Sequence, residues 1–547
     1  MRTRWGSALG SIVLLTLAAV GCSSSSSSKG VVSTTIAAET TVAPAAGGSD
    51  TTVAATTGDT TVTTTAAAPA AKQGGTMTVG LDSEPPSLDP AGNSSSLANG
   101  SVYDALYDSL MRFLPDGTVT PMLADSLTES ADRLSWTLTL KTGIKFHDGT
   151  PFDATAVKFN LDRQKTSPYN SPSILPLQSV EIVDDHTLTL KLDQPWTALP
   201  NSLAGIVGVM ASPTPTVSNP DALLRNPVGT GPYTFKEWAP GDRIVVDRNP
   251  EYWGDKQGAL DEIVFKLLPV EAARVAAYEA GELDAMVTIN DETANTEKDA
   301  GKQVVSPPST GFGLTLLNNT KPPFDDIRVR QALAIGYDRD AVTSAYQGQG
   351  YADYAWSPFV KGSTWWTAPK EPLKYDKTKA AALLADYGKP VEFTLLVLAG
   401  NQMVEDSTRA TVEYWTELGM KVNVEIVPDL STYVTRTIAG DFQAVGWIYG
   451  SFGDPDGVVY NSLHSGGSSN YGKYSNPQVD TLVEQGRTEE DDTKRHAIYD
   501  QVQELFRNDV PYLQASHGSI FVIANDNVTG LGDSIFFPSR NVAFTAG

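Results

Sequence analysis

The sequence predicts a mixed α/β fold divided into several lobes. Residues 136–140 and 186–192 alternate apolar and polar side chains, as half-buried strands do. Residues 391–398 and 422–427 are more continuously apolar, which indicates buried strands, and the amphipathic stretch 404–418 between them completes a β-α-β unit. The chain has 547 residues, a length typical of about three domains.

Two helices are predicted from the residues at their ends. The segment 324–333 begins with the carboxylates of Asp325 and Asp326 and then repeats apolar residues at helical spacing. The alanine-rich segment 271–280 stops at Gly281, and glycine is the residue that most often ends a helix.

Composition excludes several classes of protein. The chain carries 40 basic and 64 acidic residues, a formal net charge of −24, which argues against binding to a phosphate backbone. A single cysteine excludes a disulfide framework and a cysteine-based zinc site. The only long apolar run lies at the N-terminus, so a protein with many membrane spans is also excluded.

The N-terminus is predicted to be an export signal. Two arginines precede an apolar run at 8–20, which is too short for a transmembrane helix and fits a secretory leader. The run ends in Leu-Ala-Ala-Val-Gly-Cys, which resembles a bacterial lipobox, although Ala19 stands where leucine is usual. We therefore predict a signal peptide at 1–21 and lipid attachment at Cys22.

A low-complexity segment follows the cysteine. Residues 22–74 consist almost entirely of serine, threonine, alanine, valine and glycine, with no aromatic residue. Such a segment buries too little apolar surface to offset the entropy of ordering it, so we predict a disordered tether. The folded body is predicted to span 75–547.

Six segments then occur in a recognisable order. They are Phe-His-Asp-Gly-Thr-Pro-Phe-Asp and its continuation at 146–159, Pro-Val-Gly-Thr-Gly-Pro-Tyr-Thr-Phe at 227–235, Arg-Asn-Pro-Glu-Tyr-Trp-Gly at 248–254, Gly-Glu-Leu-Asp at 281–284, the helix at 325–339, and Gly-Trp with Gly-Asp-Pro-Asp within 446–456. This order resembles the family 5 extracellular solute-binding proteins, the dipeptide, oligopeptide and nickel-type receptors of ABC importers. The resemblance covers about 75–540.

The resemblance implies a type II periplasmic-binding-protein fold with three lobes and a hinge of two crossings. The expected boundaries are 75–110, 226–320 and 516–547 for lobe I, 111–225 for the inserted lobe II, and 321–515 for lobe III. It also implies a mechanism, in which lobes I and III close over a solute.

Most of these motifs have structural explanations in the chemistry of their residues. Asp148 and the three residues after it favour a turn followed by a capped helix, and Gly229 and Gly231 restrict a loop. We interpret Arg328 and Arg330 as partners of surface ion pairs.

The stretch 446–456 is the best candidate for ligand contact, because a strand there ends in a loop rich in glycine and aromatic residues. Trp447, Tyr449 and Asp454 are its candidate residues. Peptide-binding relatives place an aspartate for the peptide's α-ammonium three residues after the tryptophan, but this chain has Gly450 there. A buried ammonium needs a carboxylate partner, so a peptide, a sugar, an opine-like compound, a metal chelate and another small organic solute all stay open.

Further candidates lie where the chain crosses between lobes. Phe312 precedes the first predicted crossing, and Gln514 and His517 lie near the second. Core or surface roles are equally compatible with these residues. Arg436 could contact a ligand carboxylate, but its helix-like setting favours solvent exposure.

We predict a solute receptor that catalyses no reaction and needs no cofactor. Five scattered histidines without an i, i+4 pair argue against a metal site. Fragments of penicillin-binding motifs occur in the wrong order. Expected partners are a permease, its ATPases and, through the lipid only, the outer face of the cytoplasmic membrane, with the receptor itself a monomer. The alternative is a signalling receptor of the same fold without a transporter.

Overall fold

The protein is described by a computed structural model. The residues it describes are 71–93, 97–114, 117–219, 221–254, 258–306, 311–347, 357–359, 363–399, 402–450, 454–517, 520–532 and 537–545. Cys22, the predicted leader and most of the predicted tether lie outside these ranges.

The described residues form short strands and helices that follow one another along the chain. The strands are β1 (Ala71–Lys72), β2 (Thr76–Leu81), β3 (Met111–Phe113), β4 (Val119–Pro121), β5 (Ala124–Glu129), β6 (Ser135–Leu140), β7 (Leu177–Asp184), β8 (Thr187–Leu192), β9 (Tyr233–Ala239), β10 (Arg243–Arg248), β11 (Glu262–Leu267), β12 (Ala285–Thr288), β13 (Gln303–Val305), β14 (Gly311–Leu317), β15 (Glu392–Leu398), β16 (Lys421–Val427), β17 (Ala444–Gly450), β18 (Tyr512–His517), β19 (Phe521–Ala524), β20 (Val528–Thr529) and β21 (Ala543–Thr545).

The helices between them are α1 (Leu97–Leu106), α2 (Ala154–Thr166), α3 (Leu199–Ala204), α4 (Thr214–Ser218), α5 (Glu271–Glu279), α6 (Asp291–Asp299), α7 (Ile327–Ile335), α8 (Arg339–Gln347), α9 (Lys377–Tyr387), α10 (Gln402–Glu417), α11 (Leu430–Ala439), α12 (Val459–Leu463), α13 (Pro477–Thr488) and α14 (Asp492–Asp509). Short 3₁₀ turns lie at Ser171–Ile174, Ile206–Gly208, Ala222–Leu224 and Pro455–Gly457. Within the described residues, no helix is long and apolar enough to cross a membrane.

A seven-stranded sheet forms the core of what we call the large body, residues 71–108, 210–306 and 520–545. Its strand order is β13-β19-β12-β2-β11-β10-β9. The central strand β2 runs parallel to β11 and β12, whereas β19 returns from the end of the chain and pairs antiparallel with β12. Met77, Val79 and Leu81 of β2 are fully or almost fully buried, which fixes this strand at the centre of the core.

An inserted region, residues 109–209, extends from the large body. A bridge between Ser109 and Val209 joins its two ends, and its antiparallel sheet has the order β5-β6-β8-β7. Side-chain bonds fasten it to the large body, because Asn170 Nδ2 donates to Pro90 O at 2.9 Å and Ser167 Oγ donates to Ala91 O at 2.8 Å. The inserted region is therefore attached to the large body by its chain ends and by its side chains.

A five-stranded sheet of order β16-β15-β17-β14-β18 forms the core of the small body, residues 311–517. The predicted β-α-β unit is confirmed, because β15 and β16 are parallel and α10 connects them. The predicted strands at 136–140 and 186–192 are likewise β6 and β8.

The chain passes from the large body to the small body between residues 306 and 311 and returns between residues 517 and 520. The predicted boundaries at 320 and 515 were therefore misplaced. Strand β14 bonds to β17 and β18 along most of its length, so both β14 and β18 belong to the small body. The predicted start of folding was also late, because Ala71 and Lys72 pair with β21.

Both predicted helices are present, with ends that their caps explain. Helix α7 starts at Ile327 because Asp326 is the cap, and its side chain accepts from the backbone N–H of Arg328. Arg328 also forms the expected ion pair with Asp326, at 2.6 Å. Arg330 was predicted wrongly, because it is buried and donates to backbone carbonyls, including Phe324 O at 2.9 Å.

The first two family motifs pack against each other at the base of the inserted region. His147 Nε2 lies 3.0 Å from Gly231 O, and the backbone N–H of Gly229 donates to His147 Nδ1 at 3.3 Å. A Cβ on Gly229 would lie 2.0 Å from Leu106 O, so only glycine fits this approach to the end of α1. These motifs are structural, as their residue chemistry predicted.

Candidate functional site

An aromatic cluster lies at the carboxyl end of β17. Trp447 stacks on Tyr433 with ring centroids 6.1 Å apart and meets Tyr471 edge to face at 5.6 Å. Trp447 is half-buried and packs on the core of the small body. Aromatic rings in this arrangement offer a large apolar surface with little entropy to lose on binding.

Ile448, the next residue, points to the other side of the strand and is 73% exposed, the largest exposure among the large apolar side chains of the described residues. The alternation of β17 buries Val445 and Tyr449 and leaves Ile448 outside. Ile448 was not among the candidate residues predicted from the sequence. The alternation of the strand predicts that Ile448 faces away from the buried Tyr449. How much of a residue at a strand end is exposed depends on neighbouring segments, which alternation does not predict.

Tyr449 and Phe312 form the buried layer beneath the cluster. Phe312 is 1% exposed and stacks on Tyr512 with centroids 6.2 Å apart. Tyr449 meets Phe312 edge to face at 6.2 Å, and its hydroxyl donates to Ser469 O at 2.6 Å. Burial raises the pKa of Tyr449 well above its usual value, so it is a neutral donor.

The other residues selected at the crossings have protein partners or lie outside the description. Gln514 is 1% exposed and accepts a hydrogen bond from the backbone N–H of Ser357 at 3.3 Å. The backbone of His517 lies opposite Phe312 in the sheet, but its side chain is outside the described part of the chain. Arg436 pairs with Glu425 at 2.5 Å on the surface of the small body, in line with the solvent-exposed alternative.

Two aspartates that follow β17, Asp454 and Asp456, are both bound to arginines. Asp454 accepts two hydrogen bonds from the guanidinium of Arg495, at 2.7 and 2.8 Å, and both side chains are at most 8% exposed. Asp456 accepts from Arg487 Nε at 2.6 Å and is equally buried. Asp454 therefore pairs with a protein side chain in place of a ligand. The two arginines were not predicted from the sequence.

A cavity of about 150 Å³ lies between the inserted region and the small body. An engineered cavity of about that volume holds a benzene molecule. No lining side chain carries a formal charge at neutral pH. The lining residues are Pro168, Tyr169, Pro172 and Ser173 from the inserted region and Tyr449, Gly457, Val458, Asn461, Ser469 and Tyr471 from the small body.

The described part of the chain contains no group of three or more histidine, cysteine, aspartate or glutamate side chains that could hold an ion.

Comparison with known proteins identifies the class to which this fold and site belong. Residues 118–470 match the family model described as bacterial extracellular solute-binding proteins, family 5 Middle. The match spans more than half of the chain, so the chain belongs to this family, the solute receptors of ABC importers. The extracellular character of the family indicates export.

Named relatives bind different solutes. The chain is 29% identical to the glutathione-binding protein GsiB of Pectobacterium atrosepticum, over 82% of this chain and 90% of that protein. It is 28% identical to the dipeptide-binding protein of Escherichia coli K12, over 84% and 92%. The structure resembles that of AgaA from A. tumefaciens R10 in complex with agropinic acid, with a TM-score of 0.77, 25% identity and coverage of 86% and 99%. These likenesses establish a substrate-binding receptor of the type II periplasmic-binding-protein fold.

Proposed function

We propose that this receptor is held by a lipid on Cys22 at the outer face of the cytoplasmic membrane. The lipobox-like end of the leader and the lone cysteine support this, and the segment 22–70 supplies a long tether. The net charge, −24 before the leader and its two arginines are removed, would keep the receptor off anionic lipid except through this anchor.

The anchor is tested by Cys22→Ser. We expect the parent chain in the membrane fraction, with a mature N-terminal peptide whose mass includes acyl chains, and the variant in the soluble fraction. A parent chain whose N-terminal peptide carries no lipid would contradict the proposal.

We further propose that the solute lies between the two bodies, against Ile448 and the aromatic cluster, and that closure of the bodies captures it for delivery to the permease. Exposure carries this assignment, because Ile448 is 73% exposed and Trp447, the residue before it in β17, is only partly buried. We propose that Tyr449, Phe312 and Gln514 support that surface from the core of the small body, and that Asp454 has a structural role through its bond to Arg495.

The solute is proposed to need no free α-ammonium group. Asp454 and Asp456 are taken up by arginines, Gly450 follows Trp447 at the third position, and the cavity lining is uncharged. An ammonium group enclosed in that cavity would lack a carboxylate partner among the described lining residues, which is costly. Opine-like compounds, sugars and other small organic solutes fit this surface, as does a peptide whose amino group stays in water. The chain is proposed to release its solute chemically unchanged.

Calorimetric titration with a defined panel tests this assignment. The panel contains the dipeptide Met-Leu, N-acetyl-Met-Leu, glutathione, agropinic acid and maltose. We expect binding of at least one member, recovery of that member unchanged, and less than a tenfold difference between Met-Leu and its acetylated form. A loss of a hundredfold or more on acetylation would contradict the absence of an ammonium site. Failure of the whole panel, with no small molecule found on the purified chain by native mass spectrometry, would contradict solute binding.

Ile448→Thr tests the contact surface. Threonine keeps the strand geometry but removes apolar area, so affinity for the panel member that binds should fall about tenfold. Val183→Thr is the matched control, because Val183 of β7 is also a largely exposed aliphatic residue, at 62%, and this change should leave affinity unchanged. Equal affinities for the two variants would show that Ile448 does not touch the solute.

A further inference from the structure

A buried ion pair of the small body takes a third partner from the inserted region. Asp456 and Arg487 belong to the small body, and their side chains are 3% and 4% exposed. Trp196 comes from the inserted region and is 2% exposed. Its indole Nε1–H donates to Asp456 Oδ2 at 2.6 Å.

From this contact we infer that Trp196 is a clamp, which holds the inserted region against the small body and favours the closed arrangement even before a solute binds. The inference rests on the proposed closure of the two bodies. Trp196 acts through Asp456 and touches no solute, so it is a positioning residue for capture.

Contacts within the small body hold the carboxylate of Asp456 in place as a hydrogen-bond acceptor for Trp196. Arg487 donates to both oxygens of Asp456, at 2.6 and 3.1 Å, and its guanidinium lies 3.4 Å from the ring centroid of Tyr460. A hydrogen bond to an ionised carboxylate is roughly twice as strong as a neutral one. The indole of Trp196 therefore gains a strong bond only when the inserted region is seated on the small body.

Further bonds cross the same interface beside Trp196. The hydroxyl of Thr197 donates to Arg487 O at 2.9 Å, and Arg133 Nη1 donates to Thr488 O at 2.7 Å. Farther along, Asn461 Nδ2 donates to Pro172 O at 3.3 Å, beside the cavity. These bonds join the inserted region to α13 and to the residues around it, so opening the two bodies must break them together.

The inserted region cannot follow the small body when the bodies separate. Asn170 and Ser167 bond it to the large body, as described above. Movement about the two crossings would thus separate Trp196 from Asp456. The bond between Trp196 and Asp456 therefore depends on whether the two bodies are open or closed, whereas a bond within one body does not.

The test is a distance measurement by double electron–electron resonance in the chain with Cys22→Ser. That chain has no other cysteine, so spin labels attach only at the introduced Val183→Cys and Ile438→Cys. Both positions are more than half exposed, one on β7 of the inserted region and one on α11 of the small body. Distances are recorded without solute and with each panel member.

Trp253→Phe is the matched control. Trp253 Nε1 also donates to a buried carboxylate, that of Asp108, at 2.7 Å, but both residues lie on the large-body side of the interface. Trp196→Phe should lower the ratio of short-distance to long-distance populations about tenfold. Trp253→Phe should lower thermal stability and leave the distances unchanged. Thr197→Val, a smaller change, should shift the populations in the same direction as Trp196→Phe.

Three results would overturn the clamp. They are a solute-free parent chain with no short-distance population, equal distributions for Trp196→Phe and Trp253→Phe, and a Trp196→Phe chain that has native circular dichroism and parental distances. If panel members still bind and shorten the distance in any of these cases, solute capture stands and only the clamp is wrong. If no panel member binds, the proposed function fails independently.

Discussion

In two regions of the molecule, a buried aspartate accepts hydrogen bonds from an arginine and a tryptophan. In one region these bonds lie within one body, and in the other they join two. In the large body, Asp108 accepts from Arg540 at 2.6 Å and from the indole of Trp253 at 2.7 Å. At the interface with the small body, Asp456 accepts from an arginine and from the indole of Trp196, each at 2.6 Å. Both carboxylates are almost fully buried.

The difference lies in where the donors come from. The donors to Asp108, which also include Thr230 and Tyr252, come from chain segments that are fastened to one another within the large body. One donor to Asp456 comes from across the interface. A buried carboxylate can therefore hold distant parts of the chain in one body, or it can join two bodies, and only the origin of its donors distinguishes the two uses.

Among the proposed substitutions, Asp108→Asn should lower the free energy of unfolding most. It tests whether the network around Asp108 holds only the large body together. Burial alone would lower the pKa of Arg540, but the carboxylates of Asp104 and Asp108 reverse this and raise it, so Arg540 stays charged. Removing one carboxylate leaves that charge only partly compensated, at a cost of about 3 kcal/mol in the free energy of unfolding. Urea denaturation measures this loss, and the label-to-label distances should not change.

A change of less than about 0.5 kcal/mol for Asp108→Asn would contradict the assignment, because it is the size expected of a surface substitution. A shift in the label distances would show that the large-body network also responds to the hinge. The comparison between the two networks would then fail.

A smaller effect is expected from the protonation of His147. Burial lowers its pKa, and this outweighs the hydrogen bond to Gly231 and the charges of Asp108 and Asp148, which act in the opposite sense. The unfolded chain then binds a proton at higher pH than the folded chain does. The stability that the neutral ring contributes is complete above about pH 6.5 and is lost as the pH falls towards the lowered pKa.

Urea denaturation from about pH 7 to about pH 5 tests this, with His147→Gln for comparison. The parent chain should lose stability more steeply than the variant, by at most about 1.4 kcal/mol per pH unit. Parallel curves would mean that His147 titrates alike in the folded and unfolded chains. The contact of His147 with Gly229 and Gly231 would then contribute no pH dependence to stability.

Much of the fold could be predicted from the sequence, because its signals are local. Alternation located β6 and β8, continuous apolar runs located β15 and β16, and Gly281, with a φ of 77°, marked the end of α5. The order of the motifs then implied the fold. The lobe boundaries were misplaced because β14 pairs with strands far along the chain, and pairing leaves no mark on the sequence near residue 320.

The site was harder to predict, because burial and partners depend on distant residues. Asp454 and Asp456 look alike in the sequence, and their arginines lie 41 and 31 residues farther on. Nothing near Trp196 shows that its indole meets a carboxylate 260 residues away. Ile448 was overlooked beside two aromatic residues, although exposure makes it the better candidate for contact with a solute.

A crystal structure of the chain with the panel member that binds most tightly would test the account most directly. We predict that the solute lies between the two bodies against Ile448 and Trp447, that no carboxylate bonds to an amino group of the solute, and that the indole of Trp196 remains bonded to Asp456. A solute amine paired with Asp454 or Asp456, or a closed, solute-bound chain in which Trp196 and Asp456 are apart, would contradict it.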